Sequence, residues 1–316
     1  MSSRWIEKRR PLWERLEALV APGRRGTTRL AHADLRDLAL LYRQTAADLA
    51  TAREDPASAE LAAYLNGLLG SAHNVIYAAP SARLRSIVRF FAQTVPAIFR
   101  ATWRYTAAST AIFIAGTLGG IALTVADPGF ERFILGGQMM DTIERGEMWT
   151  HSILAVKPLA SSAILTNNLS VAFAAFATGI FAGVGTVWLM LFNGVMMGTI
   201  GAACHRAGMS LSLWSFVAPH GALELPAIVI AGGAGLLLGR GVLVPGTRPR
   251  RESLAAAAAT AIRLLLGVIP LLLIAGILEA FVSPVDLAPA AKLAIGAAMA
   301  TLLVLYLLQG RDRSVP

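Results

Sequence analysis

The chain has 316 residues, of which 55% are hydrophobic and only 15% charged, against about 25% charged in soluble domains. That leaves too little polar surface for a water-soluble globule and predicts an all-α, polytopic membrane helix bundle. Basic residues outnumber acidic ones 28 to 19, giving a net charge of +9, and all but Lys8, Lys157 and Lys292 of them are arginine. In a membrane chain such an excess sets orientation, so no nucleic-acid partner is expected. Cys204 is the single cysteine, which excludes an intramolecular disulfide, a cysteine-rich zinc site and an iron–sulfur cluster.

The charged N-terminus, Met1 to Arg10, has no apolar core behind it, so no cleavable signal peptide is expected. Residues 1–80 read as a cytosolic helical region. Leu35, Leu38, Leu41, Tyr42, Thr45 and Leu49 recur at three- and four-residue spacing, the pattern of an amphipathic helix. Trp5 to Val20 and Ser58 to Tyr77 read similarly, with Pro22-Gly23 and Asp55-Pro56 as breaks. A bundle of about three helices follows.

From Ser81 to Arg104 one stripe is apolar, through Leu84, Ile87, Val88, Phe91, Val95 and Ile98. Arg85, Arg89, Arg100 and Arg104 flank it, with Trp103 and Tyr105 placed as an aromatic belt. This predicts an interfacial helix against membrane lipids, although the same stripe would also suit packing on the cytosolic bundle.

A bilayer core takes about 20 mainly apolar residues per helix, and residues 105–309 hold about six such segments. They run from Tyr105 to Ala126, Ser161 to Ala182, Gly185 to Cys204, Ala222 to Gly239, Ala256 to Phe281 and Leu287 to Leu308. The stretch Pro158 to Cys204 has no charged residue. It is long enough for two crossings turning at Gly183-Val184-Gly185, and a re-entrant hairpin is the alternative. Sixteen of the basic residues fall within positions 1–104; further clusters are Arg240, Arg248, Arg250 and Arg251, and Arg311 with Arg313 in the tail, residues 310–316. Six crossings put all three clusters in the cytosol, together with both termini, and leave the acidic segment 127–160 outside the cytoplasmic membrane.

Small residues four apart let membrane helices pack closely. Gly116 and Gly120, Gly179 and Gly183, Gly194 and Gly198, and Gly235 and Gly239 form four such pairs, enough for a tight bundle and a homodimer contact. The Asn168-Leu-Ser170 glycosylation pattern lies in an apolar helix and reads as chance.

Polar groups in apolar helices mark function or register. His220 and Glu224 lie four apart on one helical face, with Pro219 expected in the first turn. Asn167, Asn168 and Asn193 sit in neighbouring helices. If these helix ends converge, the five residues form one buried polar site at the outer end of the bundle. Three readings follow: hydrogen bonds that fix helix register, a substrate or ion path, or catalysis. The last is the weakest, because His-xxx-Glu lacks the second histidine of a zinc protease helix and no serine sits in a nucleophile elbow. Glu279 and Arg263 read as snorkelling or cavity-lining residues. No Walker or dinucleotide fingerprint appears, so no enzyme activity, cofactor or metal is expected.

Thr166-Asn-Asn168, Gly179 through Gly185, Leu191-Phe-Asn-Gly194 and Pro219-His-Gly-Ala-Leu-Glu224 resemble the stage II sporulation protein M family. The resemblance extends to the Leu35 to Leu49 helix and the Phe90 to Tyr105 approach. It implies an integral membrane protein without an established chemistry. Its sporulating relatives resemble membrane scaffolds for peptidoglycan-degrading partners. Relatives from organisms that never sporulate are encoded beside a MoxR-type ATPase and other small membrane proteins. This chain looks like the second group, so the expectation is a non-enzymatic scaffold that organises partner proteins; the alternative is a transporter or channel using the polar site.

Overall fold

The structure, a computed structural model, describes residues 2–21, 32–77, 80–147 and 157–309. Its regular secondary structure among these residues is all helical, joined by turns and short loops and without a strand, and it divides into two compact units, Met1–Val88 and Arg89–Pro316.

The first unit contains α1 (Ser3–Val20), α2 (His32–Arg53) and α3 (Ala59–Tyr77). The stripe read from sequence is the one that packs: Leu38, Leu41, Thr45 and Leu49 are buried, against Trp13, Leu16 and Leu19 of α1 and Leu65, Leu68 and Ala72 of α3. Each large apolar side chain so enclosed contributes roughly 1.5–3 kcal/mol relative to exposure. The break before α3 is built by Asp55, which accepts hydrogen bonds from the Ala57 N–H and the Ser58 hydroxyl, both at 3.0 Å. Asp48 is a buried acid in this core, at 2% exposure. It accepts from Trp13 Nε1 at 2.9 Å and pairs with Arg9 at 3.2 Å, which is what a buried charge requires.

All but the last residue of α4 (Pro80–Arg89) belongs to the first unit. The second unit is the apolar bundle, which opens with a π turn at Phe90–Thr94 and α5 (Val95–Ala126). Two short helices, α6 (Pro128–Leu135) and α7 (Gly137–Glu144), follow, then α8 (Lys157–Ala177), α9 (Val184–Arg206), α10 (Ser210–Leu243), α11 (Arg250–Phe281) and α12 (Pro289–Leu308). Among the described residues five helices are long and apolar enough to cross a membrane, against the six segments expected. The remaining segment, Leu165–Ile180, is apolar but shorter.

Glycine contacts give the helix directions. Gly116 lies against the Leu191 carbonyl and Gly120 against Val195, so α5 and α9 run parallel. Gly179 lies against Gly235 and Gly183 against Gly239, so α8 runs parallel to α10. The turn from α8 into α9 is left-handed at Ala182 (φ 55°) and Gly183 (φ 83°), and it reaches the level of Gly239, beside Arg240. The hairpin therefore extends as deep as the end of α10. All four glycine pairs found in the sequence sit at helix contacts where a Cβ would strike a neighbouring backbone or be held in a strained turn.

Two ends of the bundle result. The basic end carries Arg100, Arg104 and Arg240. Arg100 donates to the terminal carbonyls of α12, Leu307 at 3.2 Å and Gln309, where a cation complements the helix dipole. Tyr306 Oη donates to the Phe91 carbonyl at 2.7 Å, in the π turn. The acidic end carries α6 and α7. Its arginines are paired: Arg132 with Asp141 (2.8 Å) and Glu144 (2.9 Å), Arg145 with Glu147 (3.2 Å), and Arg206 with Glu131. Met140 and Ile143 of α7 pack on Cys204, Met209 and Leu213. Part of the acidic segment, residues 148–156, lies outside the described residues, as does the basic tail 310–316.

The stripe assigned to an interfacial helix divides in the structure. Leu84, Ile87 and Val88 are exposed, as are Arg85, Arg89, Trp103 and Arg104, whereas Val95 and Ile98 are buried in the bundle core. The bundle claims the second half of the stripe because α5 continues the same helix.

Paired glycine substitutions test the backbone packing. Gly194→Ala puts a methyl group onto the Phe113 carbonyl and is expected to cost about 1–3 kcal/mol, as overpacked sites do. Gly119→Ala, with nothing within 4 Å, should be neutral or stabilising by up to about 1 kcal/mol. Thermal melts in detergent distinguish the two; equal melting temperatures would refute the contact.

Candidate functional site

α10 begins at Ser210, twelve residues before the expected Ala222, so Pro219 lies inside the helix rather than in its first turn. The extension forms because Leu213 and Phe216 pack on Met209, Met140 and Ile143. Interior prolines at 219 and 226 leave the carbonyls of Ser215 and Ala222 without their helical N–H partners. His220 lies between these two interruptions.

His220 is 6% exposed. Its Nδ1 is 2.9 Å from Ser283 Oγ, in the turn between α11 and α12. Its ring meets Phe216 edge-on at 5.5 Å. The turn is braced by the Ser283 N–H donating to the Leu278 carbonyl at 2.9 Å and by Lys292 Nζ donating to the Ser283 carbonyl at 2.7 Å. Ser283 is fully buried. Ligating atoms of His220, Glu224 and Glu279 all lie within 4.8 Å of one another. Glu224 Oε2 and Glu279 Oε2 are buried without a hydrogen-bond partner.

The expected pair of His220 and Glu224 therefore does converge, but with different company. Asn167 is exposed and donates from Nδ2 to Asn168 Oδ1 at 3.3 Å. Asn193 donates to the Leu189 carbonyl one turn back at 2.8 Å, which satisfies the amide inside its own helix. None of the three asparagines makes a described hydrogen bond to His220 or Glu224. Glu279 and Ser283 take their place. The available signal was their spacing: Glu279 and Ser283 are also four apart at the end of an apolar helix, mirroring His220 and Glu224.

A separate cavity of about 560 Å³ opens between α5, α9 and the start of α10, with Ile121, Val125, Met197 and Trp214 among its walls and Arg206 at its margin. It is mainly apolar and contains none of the cluster residues.

Long apolar helices packed through glycine, with a buried imidazole and two carboxylates near one end, define a polytopic membrane bundle with a polar site. The chain belongs to the stage II sporulation protein M family, whose model matches residues 109–284. That match takes in α8 to α11 and the cluster. Residues 3–78 separately match a family described as Domain of unknown function (DUF8413). No curated protein and no solved structure matches the chain.

The contact between His220 and Ser283 gives a direct test. His220→Ala and Ser283→Ala should be energetically coupled in a double-mutant cycle by about 0.5–3 kcal/mol, read as thermal stability in detergent. Asn193→Ala should add independently to either. Additive losses for His220 and Ser283 would show that the bond does not form.

Proposed function

We propose that this protein is a non-enzymatic membrane scaffold of the cytoplasmic membrane, with its N-terminal helical unit and both termini in the cytosol. The observation that carries this reading is the N-terminal unit itself. It has its own apolar core of α1, α2 and α3, anchored by the buried Asp48, and its own family match. A helical unit of this kind offers a surface for partner proteins that the bilayer does not occlude. Candidates are the MoxR-type ATPase and the small membrane proteins to which the family resemblance points, with a second copy of the chain as a homodimer partner.

Charge supports the orientation. Arg100, Arg104 and Arg240 share one end of the bundle, and the arginines at the other end are matched by acids within salt-bridge distance. Lys and Arg near membrane helix ends favour the cytosolic side. The transport reading is favoured by one feature, the buried His220, Glu224 and Glu279 cluster.

Two measurements separate these readings. Removing residues 1–80 should abolish recovery of crosslinked partners while the bundle keeps its melting behaviour; retained partners would refute the scaffold role, and solute flux by the truncated protein in liposomes would favour transport. For orientation, single cysteines in a Cys204→Ser background should react with an impermeant reagent in intact cells at position 138 and not at positions 10 or 250. Labelling at 250 would overturn the proposed topology.

A further inference from the structure

We propose that His220, Glu224 and Glu279 form a binding site for one divalent transition-metal cation, with Ser283 orienting the imidazole. The site stands independently of the scaffold reading. Its donors come from two helices whose positions the bundle fixes. His220 and Glu224 share a face of α10, Glu279 projects from α11, and their ligating atoms lie within 4.8 Å of one another. Tetrahedral zinc with bonds of about 2.0–2.1 Å holds its donors about 3.3 Å apart. The three groups thus need to close by at most about 1.5 Å, within the reach of glutamate rotamers.

Three features favour a cation over a set of internal hydrogen bonds. First, Glu224 Oε2 and Glu279 Oε2 are buried and lack any hydrogen-bond partner. Two carboxylates facing each other in an apolar bundle repel, and a cation between them turns that repulsion into attraction. Second, the imidazole is held as a metal-ligating histidine is held. In the tautomer that donates Nδ1–H to Ser283 Oγ, at 2.9 Å, Nε2 carries the lone pair that a metal takes. Third, the nearby ammonium is committed elsewhere, since Lys292 Nζ donates to the Ser283 carbonyl and forms no ion pair with either glutamate among the described residues.

The donor set also selects the ion. One neutral imidazole and two carboxylates carry two negative charges, matching a divalent cation. The mixture of nitrogen and oxygen suits zinc better than calcium and magnesium, which prefer oxygen alone, or copper(I), which prefers sulfur; manganese, the oxygen-preferring member of the first-row series, is the comparison ion. Three protein ligands leave a further coordination position for water or for a group brought by a partner.

The test uses the full-length protein in detergent, stripped with a chelator and titrated separately with zinc and manganese chlorides by calorimetry and thermal unfolding. One equivalent of at least one metal should bind per chain and raise the melting temperature by several degrees. Glu224→Gln and Glu279→Gln keep side-chain shape while removing charge, and each should abolish that rise. Ser283→Ala should weaken binding roughly 10–100-fold, as loss of an orienting group does. Asp141→Asn with Glu144→Gln, on the acidic segment, should leave binding intact. If Glu224→Gln fails to fold, Glu279→Gln on the other helix carries the same criterion. Absence of stoichiometric binding by the wild type would overturn the proposal, as would unchanged binding in the glutamine variants. So would glutamine variants that melt higher than a wild type that binds neither metal, the signature of a shared proton.

Discussion

Helices surrounded by lipid gain little from hiding apolar side chains from one another, because the lipid tails are equally apolar. What remains is close packing, made by glycine against backbone where α5 meets α9, α8 meets α10 and α12 meets α10, and by small and branched apolar side chains where α10 meets α11. Gly116, Gly194 and Gly198 bring α5 and α9 together, Gly179 and Gly235 join α8 to α10, and Gly296 seats α12 against the Ala218 carbonyl. Such contacts are short-ranged and carry no slack, so each sets the axial register of a helix pair to within a residue. Thr186 adds one cross-helix bond, donating to the Ala175 carbonyl at 2.6 Å. The polar cluster lies on a further pair: Glu279 meets Glu224 where α10 and α11 pack through Leu223, Ala227, Leu272 and Ala275.

The same constraint explains where charge is allowed. At the basic end, Arg100 satisfies the terminal carbonyls of α12, a place where a guanidinium serves the helix as well as the interface. At the acidic end, carboxylates and guanidinium groups neutralise each other across α6, α7 and the end of α9. His220, Glu224 and Glu279 stand apart from both belts. Their burial opposes the preference of ionisable groups for water, and a bundle held this tightly can sustain such a site without relaxing around it.

The two units solve different solvation problems. The N-terminal helices bury leucine and tryptophan stripes against each other in the manner of a water-soluble bundle, with Asp48 satisfied by Trp13 and Arg9. The membrane unit leaves large apolar side chains such as Leu118, Trp188, Phe192 and Leu302 facing outward, which suits lipid and not water. Family matches follow this division, with one model covering residues 3–78 and another residues 109–284.

Much of this architecture was legible in the sequence, because hydropathy and helical period are local properties. The leucine stripe of α2, the breaks around Asp55-Pro56, the hairpin at Gly183 and the long apolar helices could all be read from consecutive residues, as could the pairing of His220 with Glu224 across one turn. Four-residue spacing also marked the glycine pairs as packing features. Which groups meet across helices was not legible, since it depends on register between segments far apart in the chain. The three asparagines looked like companions of His220, yet Asn193 is satisfied within its own helix and Asn167 faces outward, while Glu279 and Ser283 arrive from more than 50 residues away. Pro219 looked like a helix start and became an interior residue because Leu213 and Phe216 found a core to pack against. Local pattern determined the helices; the packing between them decided which polar side chains share a site.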